Sequence, residues 1–232
     1  MESLETQDGM KATRMSGAEF FARARSRLTL EVPPALTDDT MPARRGDLDL
    51  DPSLWERAGV KATRPAAVLV GVVDHPEPMV LLTQRNAALE AHAGQIAFPG
   101  GKIDPQDASP AAAALREAWE EVGLDRGLVE PIGYLDVYLT FSGYRILPTV
   151  ARVAPGYRLA LNRAEVDEAF EVPLAFLMDA QNHALHSRDW KGLIRCYYAM
   201  PFGERYIWGV TAGILRNLYE RAYLEDGRSS RK

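Results

Sequence analysis

The segment from residue 98 to residue 124 decides the fold, and it contains Phe98-Pro99-Gly100-Gly101 followed by Arg116-Glu117-Ala118-Trp119-Glu120-Glu121-Val122-Gly123-Leu124. Ser109 and Pro110 lie between these two motifs and are typical of a helix start, because serine caps free N–H groups and proline needs no N–H partner there. Gly123 is typical of a helix end. The sequence therefore predicts a helix between residues 109 and 123, entered from a glycine-rich turn.

The predicted helix has two different sides. At 3.6 residues per turn, Glu117, Glu120 and Glu121 share one side, which brings three carboxylates together. The opposite side is apolar and consists of Leu115, Ala118, Trp119 and Val122. Like charges at i and i+4 cost about 0.2–0.5 kcal/mol, so the acidic side is either simply solvated or neutralised by a divalent cation. Carboxylate oxygens favour Mg2+ or Mn2+ for such a site.

The turn before the helix suits a ligand-binding loop. Gly100 and Gly101 have no Cβ atom, so their backbone is able to approach a ligand closely. Ahead of a helix that carries carboxylates, such a turn offers carbonyl oxygens to a metal ion and N–H groups to a phosphate. The turn and the acidic side together indicate a site for a metal ion and a phosphorylated ligand.

The glycine turn and the Arg-Glu-x-x-Glu-Glu-x-Gly helix resemble the Nudix box of the Nudix hydrolases. The resemblance implies an α/β (α+β) fold, namely a Nudix-type α/β/α sandwich with a mixed β-sheet. It implies catalytic roles and a Mg2+ or Mn2+ site for Glu117, Glu120 and Glu121. Arg116 is expected to brace these carboxylates, and Gly101 to provide a further metal ligand. The implied reaction is hydrolysis of a diphosphate linked to another moiety.

One position departs from this box. The usual box has a glutamate eight residues before the arginine, whereas position 108 is alanine and the nearest acid is Asp107. An extra residue in the loop before the helix accommodates this spacing. Asp107 is then expected to take the structural role of that glutamate rather than to bind metal.

The residues before the turn narrow the substrate. They include Leu81-Leu82-Thr83-Gln84-Arg85 and Gly94-Gln95-Ile96-Ala97-Phe98-Pro99-Gly100-Gly101, which are similar to the signature of the coenzyme A pyrophosphatase branch of Nudix hydrolases. This resemblance implies hydrolysis of coenzyme A or acyl-coenzyme A to 3′,5′-adenosine diphosphate and (acyl-)4′-phosphopantetheine. The implied substrate contacts are Arg85, Gln95, Phe98, Gly100 and Lys102.

Two residues depart from that signature, because Asn86 stands where Ser or Ala is usual and Glu90 stands where Arg is usual. Coenzyme A carries several phosphates, and a carboxylate at position 90 would repel them, so another nucleotide diphosphate such as ADP-ribose or NADH stays an alternative. A non-catalytic nucleotide-binding module is a third alternative. Arg145 is a further candidate phosphate contact. An additional acid is expected from a downstream loop, at Glu165 or Glu168, although either residue also fits a solvated helix.

The composition excludes several classes of protein. With 232 residues of which 47% are hydrophobic, the chain is able to bury a substantial core. Its net charge of -5 and the absence of a basic run argue against a nucleic-acid partner. No stretch is long and apolar enough for a membrane span, and the single Cys196 fits a reducing compartment. These features predict a cytoplasmic protein that acts on a small molecule.

The chain is predicted to contain one catalytic domain with two flanking segments. Residues 1–60 are expected to form an N-terminal helix, which starts at Ser16 and Glu19 and serves as a packing or homodimer element, followed by an extended wrap or linker. Residues 61–225 form the predicted Nudix hydrolase domain, and residues 226–232 a short polar tail. An aromatic cluster of Tyr197, Tyr198, Phe202, Tyr206 and Trp208 is interpreted as core packing rather than as a surface that stacks adenine.

Overall fold

The computed structural model describes residues 15–41, 45–47, 49–51, 61–190 and 193–224. Within these ranges the helices are α1 Gly17–Arg27, α2 Pro110–Val122, the short α3 Leu174–Leu177 and α4 Val210–Leu218, which continues as one π-helical turn, Tyr219–Tyr223. The strands are β1 Arg45–Gly46, β2 Arg64–Val73, β3 Met79–Arg85, β4 Ile96–Ala97, β5 Gly100–Lys102, β6 Val129–Tyr134, β7 Tyr138–Leu139, β8 Tyr144–Val153, β9 Val166–Pro173, β10 Ala184–Trp190, β11 Leu193–Phe202 and β12 Arg205–Trp208. The predicted tail at 226–232 and much of the N-terminal wrap lie outside the described residues.

Strands β1 to β9 form one mixed sheet. The centre of the sheet is the parallel pair β2 and β8, in register from Arg64 opposite Tyr144 to Val73 opposite Val153. β3 runs antiparallel to β2, and β9 runs antiparallel to β3. β4 pairs with β3 and β5 pairs with β2, so the glycine turn between them lies at the same end of the sheet as the last residue of β3, Arg85.

The sheet is covered by helices on both faces. Side chains of a strand alternate between its two faces, and β2 divides its buried residues accordingly. Leu69 and Val73 pack with the apolar side of α2 in one core, whereas Val70 and Val72 pack with α1 and α4 in another. The structure is therefore an α/β/α sandwich with a mixed sheet, which confirms the predicted fold class.

The N-terminal helix α1 is part of this sandwich. The side chain of Ser16 accepts a hydrogen bond from the backbone N–H of Glu19, and the carboxylate of Glu19 accepts one from the backbone N–H of Ser16, as expected for a capping box. Phe20, Phe21 and Ala24 are buried against the core. The helix therefore packs on the domain, which is the first of its two predicted roles.

Arg145 has a structural role that differs from the predicted phosphate contact. It lies on β8 with 3% of its surface exposed. Its guanidinium donates hydrogen bonds to the backbone carbonyls of Ala35, Met41 and Ala62, which belong to the extended segment between α1 and β2. All three carbonyls come from the chain between α1 and β2, so Arg145 fixes that part of the chain against the sheet and has little surface left for a substrate.

Helix α2 is oriented differently from the predicted amphipathic pattern. Trp119 was assigned to the buried side, but 53% of its surface is exposed. Glu121, assigned to the acidic side, is only 4% exposed. Glu121 lies three residues after the buried Ala118 and so faces the core side, whereas Trp119 is turned about 100° away from Ala118. The prediction for Trp119 is therefore wrong, and one of the three glutamates is a buried group.

The second sheet is formed by β10, β11 and β12, in which β10 and β11 pair as an antiparallel hairpin. It packs beside α4, and Met200 and Ile207 join it to the core. None of the helices in the described part of the chain is long and apolar enough to cross a lipid bilayer.

Candidate active site

Helix α2 begins and ends as its sequence predicts. The hydroxyl of Ser109 accepts a hydrogen bond from the N–H of Ala112, with 3.1 Å between the two atoms, and Pro110 is the first helical residue. Gly123 ends the helix with a φ of 69°, a left-handed conformation that favours glycine. The loop between β8 and β9 closes over the end of the helix, because Asn162 donates its backbone N–H to the carbonyl of Glu121 at 2.9 Å. Both ends of the acidic helix are thus fixed.

Arg116 organises the acidic side of α2. Its guanidinium forms a bidentate pair with Asp107, at 3.1 Å to Oδ1 and 3.0 Å to Oδ2, and it also donates to the carbonyl of Lys102. The hydrogen bonds with Arg116 lower the pKa of Asp107, and the same bonds raise the pKa of Arg116 above its usual range. Asp107 therefore braces the arginine, which is the structural role expected for it.

Glu117 lies against the glycine turn. One of its carboxylate oxygens accepts a hydrogen bond from Nη1 of Arg116 at 2.9 Å. A Cβ atom placed on Gly101 would stand only 2.6 Å from this carboxylate, so any residue larger than glycine would force the carboxylate to move. Burial raises the pKa of Glu117, with the bond from Arg116 acting in the opposite direction. The predicted metal-binding residues Glu117 and Gly101 are thus brought into contact.

Glu121 is the buried acid of the site. Its Oε2 accepts a hydrogen bond from the N–H of Gly100 at 3.2 Å. Burial raises the pKa of Glu121 to about 8, and the neighbouring charges of Glu117 and Glu165 act in the same direction. Position 100 also requires glycine, because a Cβ atom on Gly100 would stand 2.5 Å from the carbonyl oxygen of Ala67. The backbone of the glycine turn therefore packs against the carboxylates of helix α2.

Glu120 is the exposed glutamate of the site and shares Nη1 of Arg116 with Glu117. Its side chain is 52% exposed, and Oε2 accepts a hydrogen bond from Nη1 of Arg116 at 3.0 Å. Among the residues that the structure describes, no group of three or more acidic, histidine or cysteine side chains is arranged to hold a metal ion. The reason is that Arg116 holds the carboxylates of Glu117 and Glu120, while Glu121 turns inward. The three predicted ligands share a helix but do not converge on one point.

Two further residues from other segments face the buried glutamates. Arg85, at the end of β3, carries a positive charge that lowers the pKa of Glu121, and its Nε atom is buried without a hydrogen-bond partner in the described part of the chain. Glu165 lies in the loop before β9 and raises the pKa of both Glu117 and Glu121. Of the two predicted additional acids, Glu165 is the one next to the site.

Glu168 is engaged elsewhere. It lies on β9 and forms a bidentate pair with Arg205, at 2.9 and 2.7 Å, and Arg205 in turn stacks 3.6 Å from the ring centre of Phe170. Neither predicted acid is in a helix, because Glu165 lies in a turn and Glu168 in a strand. The solvated-helix alternative is therefore wrong for both residues.

The remaining predicted substrate contacts are spread around the turn. Phe98 is 5% exposed and packs in the core, so its ring has little surface to offer a ligand. Oε1 of Gln95 accepts a hydrogen bond from Nδ1 of His92 at 2.9 Å, and Lys102 has an exposed side chain. Gly100 is in the turn itself, bonded to Glu121.

Asn162 is a site residue that the sequence interpretation missed. Its Nδ2 donates to Oε1 of Glu165 at 3.1 Å, and its Oδ1 accepts from the N–H of Ala164. It therefore holds Glu165 while its backbone closes the end of α2. An asparagine that bonds to the backbone two residues onward is a common turn signal, and Asn162-Arg163-Ala164 offers that signal shortly before β9.

Comparisons with known proteins identify the family of this chain. The NUDIX domain family model matches residues 62–193. The Nudix hydrolase NudL of Photorhabdus laumondii is 40% identical over 158 residues, a match that covers 68% of this chain and 84% of the relative. NudL of Escherichia coli K12 is 41% identical over 155 residues, covering 67% of this chain and 81% of the relative. The solved Nudix hydrolase RenU of M. smegmatis is 26% identical, with a TM-score of 0.41, over 47% of this chain and 70% of that chain. Because the domain match extends over more than half of the chain and the NudL proteins are covered over most of their length, this chain belongs to the Nudix hydrolase family.

Proposed function

We propose that the chain is a metal-dependent diphosphatase that hydrolyses coenzyme A or acyl-coenzyme A to 3′,5′-adenosine diphosphate and (acyl-)4′-phosphopantetheine. Nudix hydrolases act on pyrophosphate bonds and generally use divalent metal ions. The proposal goes beyond this family activity by naming the substrate. The observation that carries it is the Leu-Leu-Thr-x-Arg strand leading to the Phe-Pro-Gly-Gly turn. In the structure these residues are β3, β4 and β5, and they bring Arg85 and the glycine turn next to Glu121.

The residues of the site suit a hard divalent cation. Glu117 and Glu121 are largely buried, and the charge of Glu117 raises the pKa of Glu121. Gly101 leaves room beside the carboxylate of Glu117 that a Cβ atom would fill. Glu117, Glu120, Glu121 and the carbonyl of Gly101 would hold Mg2+ or Mn2+. When bound, the cation supplies neutralisation of the diphosphate oxygens and activation of water.

Arg85 is a further residue of the site that supports a diphosphate ligand. A buried Nε atom without a partner is costly, because a desolvated donor has lost its bonds to water. A phosphate oxygen of the substrate would accept that bond, and the guanidinium is suited to bind phosphate in a bidentate manner. The exposed Lys102 adds a second positive charge near the turn. Arg85 thus holds the substrate while the acidic helix lies on the other side of the diphosphate.

The proposed reaction is a single hydrolysis. The oxygen of water forms a bond to one phosphorus, and the bond between that phosphorus and the bridging oxygen breaks. The bridging oxygen leaves as an oxygen of the second phosphate, and a proton from water passes to a carboxylate of the site or to solvent. Positioning and electrostatic stabilisation dominate such transfers, so the braced helix and Arg85 are the residues that matter most.

A second nucleotide diphosphate is the runner-up substrate. Glu90, which departs from the coenzyme A signature, is exposed in the loop between β3 and β4. An exposed carboxylate in that loop would repel a further phosphate of coenzyme A, whereas ADP-ribose or NADH has no additional phosphate to repel. A non-catalytic nucleotide-binding module is disfavoured because all three glutamates of the box are retained together with the arginine that braces them.

The proposal is tested by incubating the purified protein with Mg2+ or Mn2+ and coenzyme A, acetyl-coenzyme A, ADP-ribose or NADH, followed by mass spectrometry of the products. The expected result is 3′,5′-adenosine diphosphate together with 4′-phosphopantetheine or its acyl form. Turnover of ADP-ribose or NADH without turnover of coenzyme A would replace the proposal by the runner-up. Binding of these ligands without any turnover would favour the non-catalytic module.

A matched pair of variants distinguishes the two acids named for the downstream loop. Glu165→Gln removes the charge beside Glu117 and Glu121, and we expect a clear fall in turnover. Glu168→Gln removes a charge that is paired with Arg205 on β12, and we expect turnover close to that of the unmodified protein. Equal losses in both variants would contradict the assignment of Glu165 to the site.

A further inference from the structure

A cavity of about 230 Å³ lies between the β10–β11 hairpin, the start of α4 and residues 45–47 and 49–50. Its lining includes the aromatic residues Tyr138, Tyr197, Tyr198 and Trp208. Small-molecule sites for a whole drug-sized ligand usually measure roughly 300–1,000 Å³. This cavity is smaller, so it suits one part of a larger ligand.

Three of the aromatic rings share one face of the second sheet. Tyr197 and Trp208 contact each other with ring centres 5.3 Å apart, and Tyr206 lies 6.4 Å from Trp208. Tyr198 and Phe202, on the other face, pack against the core. The core-packing interpretation is therefore correct for Tyr198 and Phe202 but not for the other three, of which Tyr206 is 40% exposed. Half-buried rings beside a cavity offer a stacking surface to a flat ring system.

The cavity is also rich in arginine, with Arg45, Arg188, Arg195 and Arg216 against two acids, Asp47 and Asp49. Arg45 and Arg216 pair with Glu220, and Arg195 pairs with Asp47. Arg188 is exposed and makes no ion pair with the residues that the structure describes. It stands opposite Arg195 on the hairpin, two residues along from the pair of His186 and Tyr197. Side chains two residues apart on a strand share a face at a spacing of about 7 Å.

The start of α4, which lines the cavity, is bonded to the strand that precedes the glycine turn. The ring of Phe141, in the turn between β7 and β8, lies 3.7 Å below the guanidinium of Arg195, and its N–H donates to Asp47. On the other side, Thr211 at the start of α4 donates to the carbonyl of Ile96 on β4. Ile96 precedes Gly100 by four residues, which span at most about 14 Å. One extended nucleotide is thus able to reach from the glycine turn towards the cavity.

We propose that this cavity binds the adenosine end of the substrate, with the base stacked on Trp208 and Tyr197 and the 3′-phosphate bound by Arg188. The inference rests on the proposed hydrolysis of coenzyme A and names the part of the chain that selects it. Arg188 then supplies a positive charge in place of the arginine that is usual in the coenzyme A signature at position 90, where this chain has Glu90. An adenine nucleotide that carries an additional phosphate is the ligand class that this combination of rings and arginine recognises.

The test compares coenzyme A with coenzyme A that lacks its 3′-phosphate, in the unmodified protein and in Arg188→Gln and Trp208→Leu. Arg188→Gln is expected to raise KM for coenzyme A about tenfold and to leave KM for the shorter substrate unchanged, because a charge-assisted bond to the 3′-phosphate is lost. Trp208→Leu is expected to raise KM about tenfold or more for both substrates, since both carry adenine. In each case kcat stays close to the unmodified value.

Ile194→Ala is the matched control, because Ile194 lies on the opposite face of the same hairpin and is 66% exposed. It should change neither KM. Calorimetric titration with 3′,5′-adenosine diphosphate and with adenosine 5′-monophosphate, in metal-free buffer, measures binding without turnover. The unmodified protein should prefer the bisphosphate, and Arg188→Gln should lose that preference.

Two outcomes separate this inference from the proposed function. If coenzyme A is hydrolysed but Arg188→Gln has the same KM for both substrates as the unmodified protein, the cavity assignment is wrong and the reaction stands. If coenzyme A is not hydrolysed while the bisphosphate preference is present and depends on Arg188, the cavity assignment stands and the reaction is wrong. Because Arg188 is exposed, its variant is expected to fold, and circular dichroism confirms that for both variants.

Discussion

The acidic helix α2 and the aromatic cavity differ in how the chain builds them. The helix carries its three glutamates and their bracing arginine within Arg116 to Glu121, so local spacing is sufficient to bring them to one element. The cavity combines residues 45–47 and 49–50, Tyr138, the β10–β11 hairpin and the start of α4. The first region was predictable from one short segment, whereas the second exists only after the sheet and the hairpin have packed.

The two regions also differ in the kind of contact that they offer. Helix α2 presents carboxylates held by Arg116 and by the glycine turn, a fixed arrangement that suits the reacting diphosphate. The cavity presents rings and arginines, which suit binding of a group that does not react. We therefore expect changes in α2 to lower kcat and changes around the cavity to raise KM or to lower stability, and this division is what the following variants test.

The largest effect is expected for Glu121→Gln. Removal of one charge that acts in the transition state typically costs about 100-fold or more, so kcat should fall by at least that factor. The fold should survive, because glutamine still accepts the hydrogen bond from Gly100 and has no charge to bury. Steady-state kinetics with saturating Mg2+ and thermal unfolding measure the two properties. Activity near that of the unmodified protein would show that Glu121 is only a buried core residue.

The next largest effect is expected for Gly213→Ala, a change in the wall of the cavity. In Gly213→Ala the new Cβ atom would stand 2.5 Å from the hydroxyl of the buried Tyr138, which donates to Asp47. Overpacking costs about 1–3 kcal/mol, and the better helix propensity of alanine offsets up to about 1 kcal/mol. We expect a net loss of about 1–2 kcal/mol in the free energy of unfolding, measured by urea denaturation, with kcat unchanged.

Tyr138→Phe combined with Gly213→Ala is the matched control. Removal of the hydroxyl makes room for the new methyl group, so the double variant should lose less stability than the sum of the two single variants. Simple additivity would mean that the two residues do not contact each other. A loss of kcat in Gly213→Ala at unchanged stability would break the division between the two regions.

A smaller effect is expected where the glycine turn meets the helix. In Gly101→Ala the new Cβ atom would stand 2.6 Å from the carboxylate of Glu117, which must then move. Displacement of a catalytic group lowers kcat, here by about tenfold, and the Mg2+ concentration required for half-maximal activity should rise. Titration of the activity with Mg2+ provides both values. An unchanged Mg2+ requirement would remove Glu117 from the metal site.

The sequence predicted the two ends of helix α2 better than it predicted which of the helix's side chains are buried. Ser109, Pro110 and Gly123 set the limits of α2 because caps are local interactions. Spacing alone did not show that Glu121 is buried and Trp119 exposed, since the boundary between the two sides depends on where the sheet and the turn contact the helix. Arg145 shows the same limit, because the three carbonyls that bind it meet only when the chain between α1 and β2 has folded onto the sheet.

The smallest effect is expected for Ser109→Ala, which removes the N-cap of helix α2 and leaves its carboxylates unchanged. Loss of the hydrogen bond from Ala112 to the Ser109 hydroxyl should lower the free energy of unfolding by about 1 kcal/mol, as for other N-caps, measured by urea denaturation. Because Arg116 and the turn still hold the glutamates, kcat should stay unchanged. Ser16→Ala removes the equivalent cap of α1, far from the site, and should have a similar effect on stability. A fall in kcat in Ser109→Ala alone would show that the reaction depends on the exact position of α2, which would tie the catalytic geometry to the helix start as well as to Arg116.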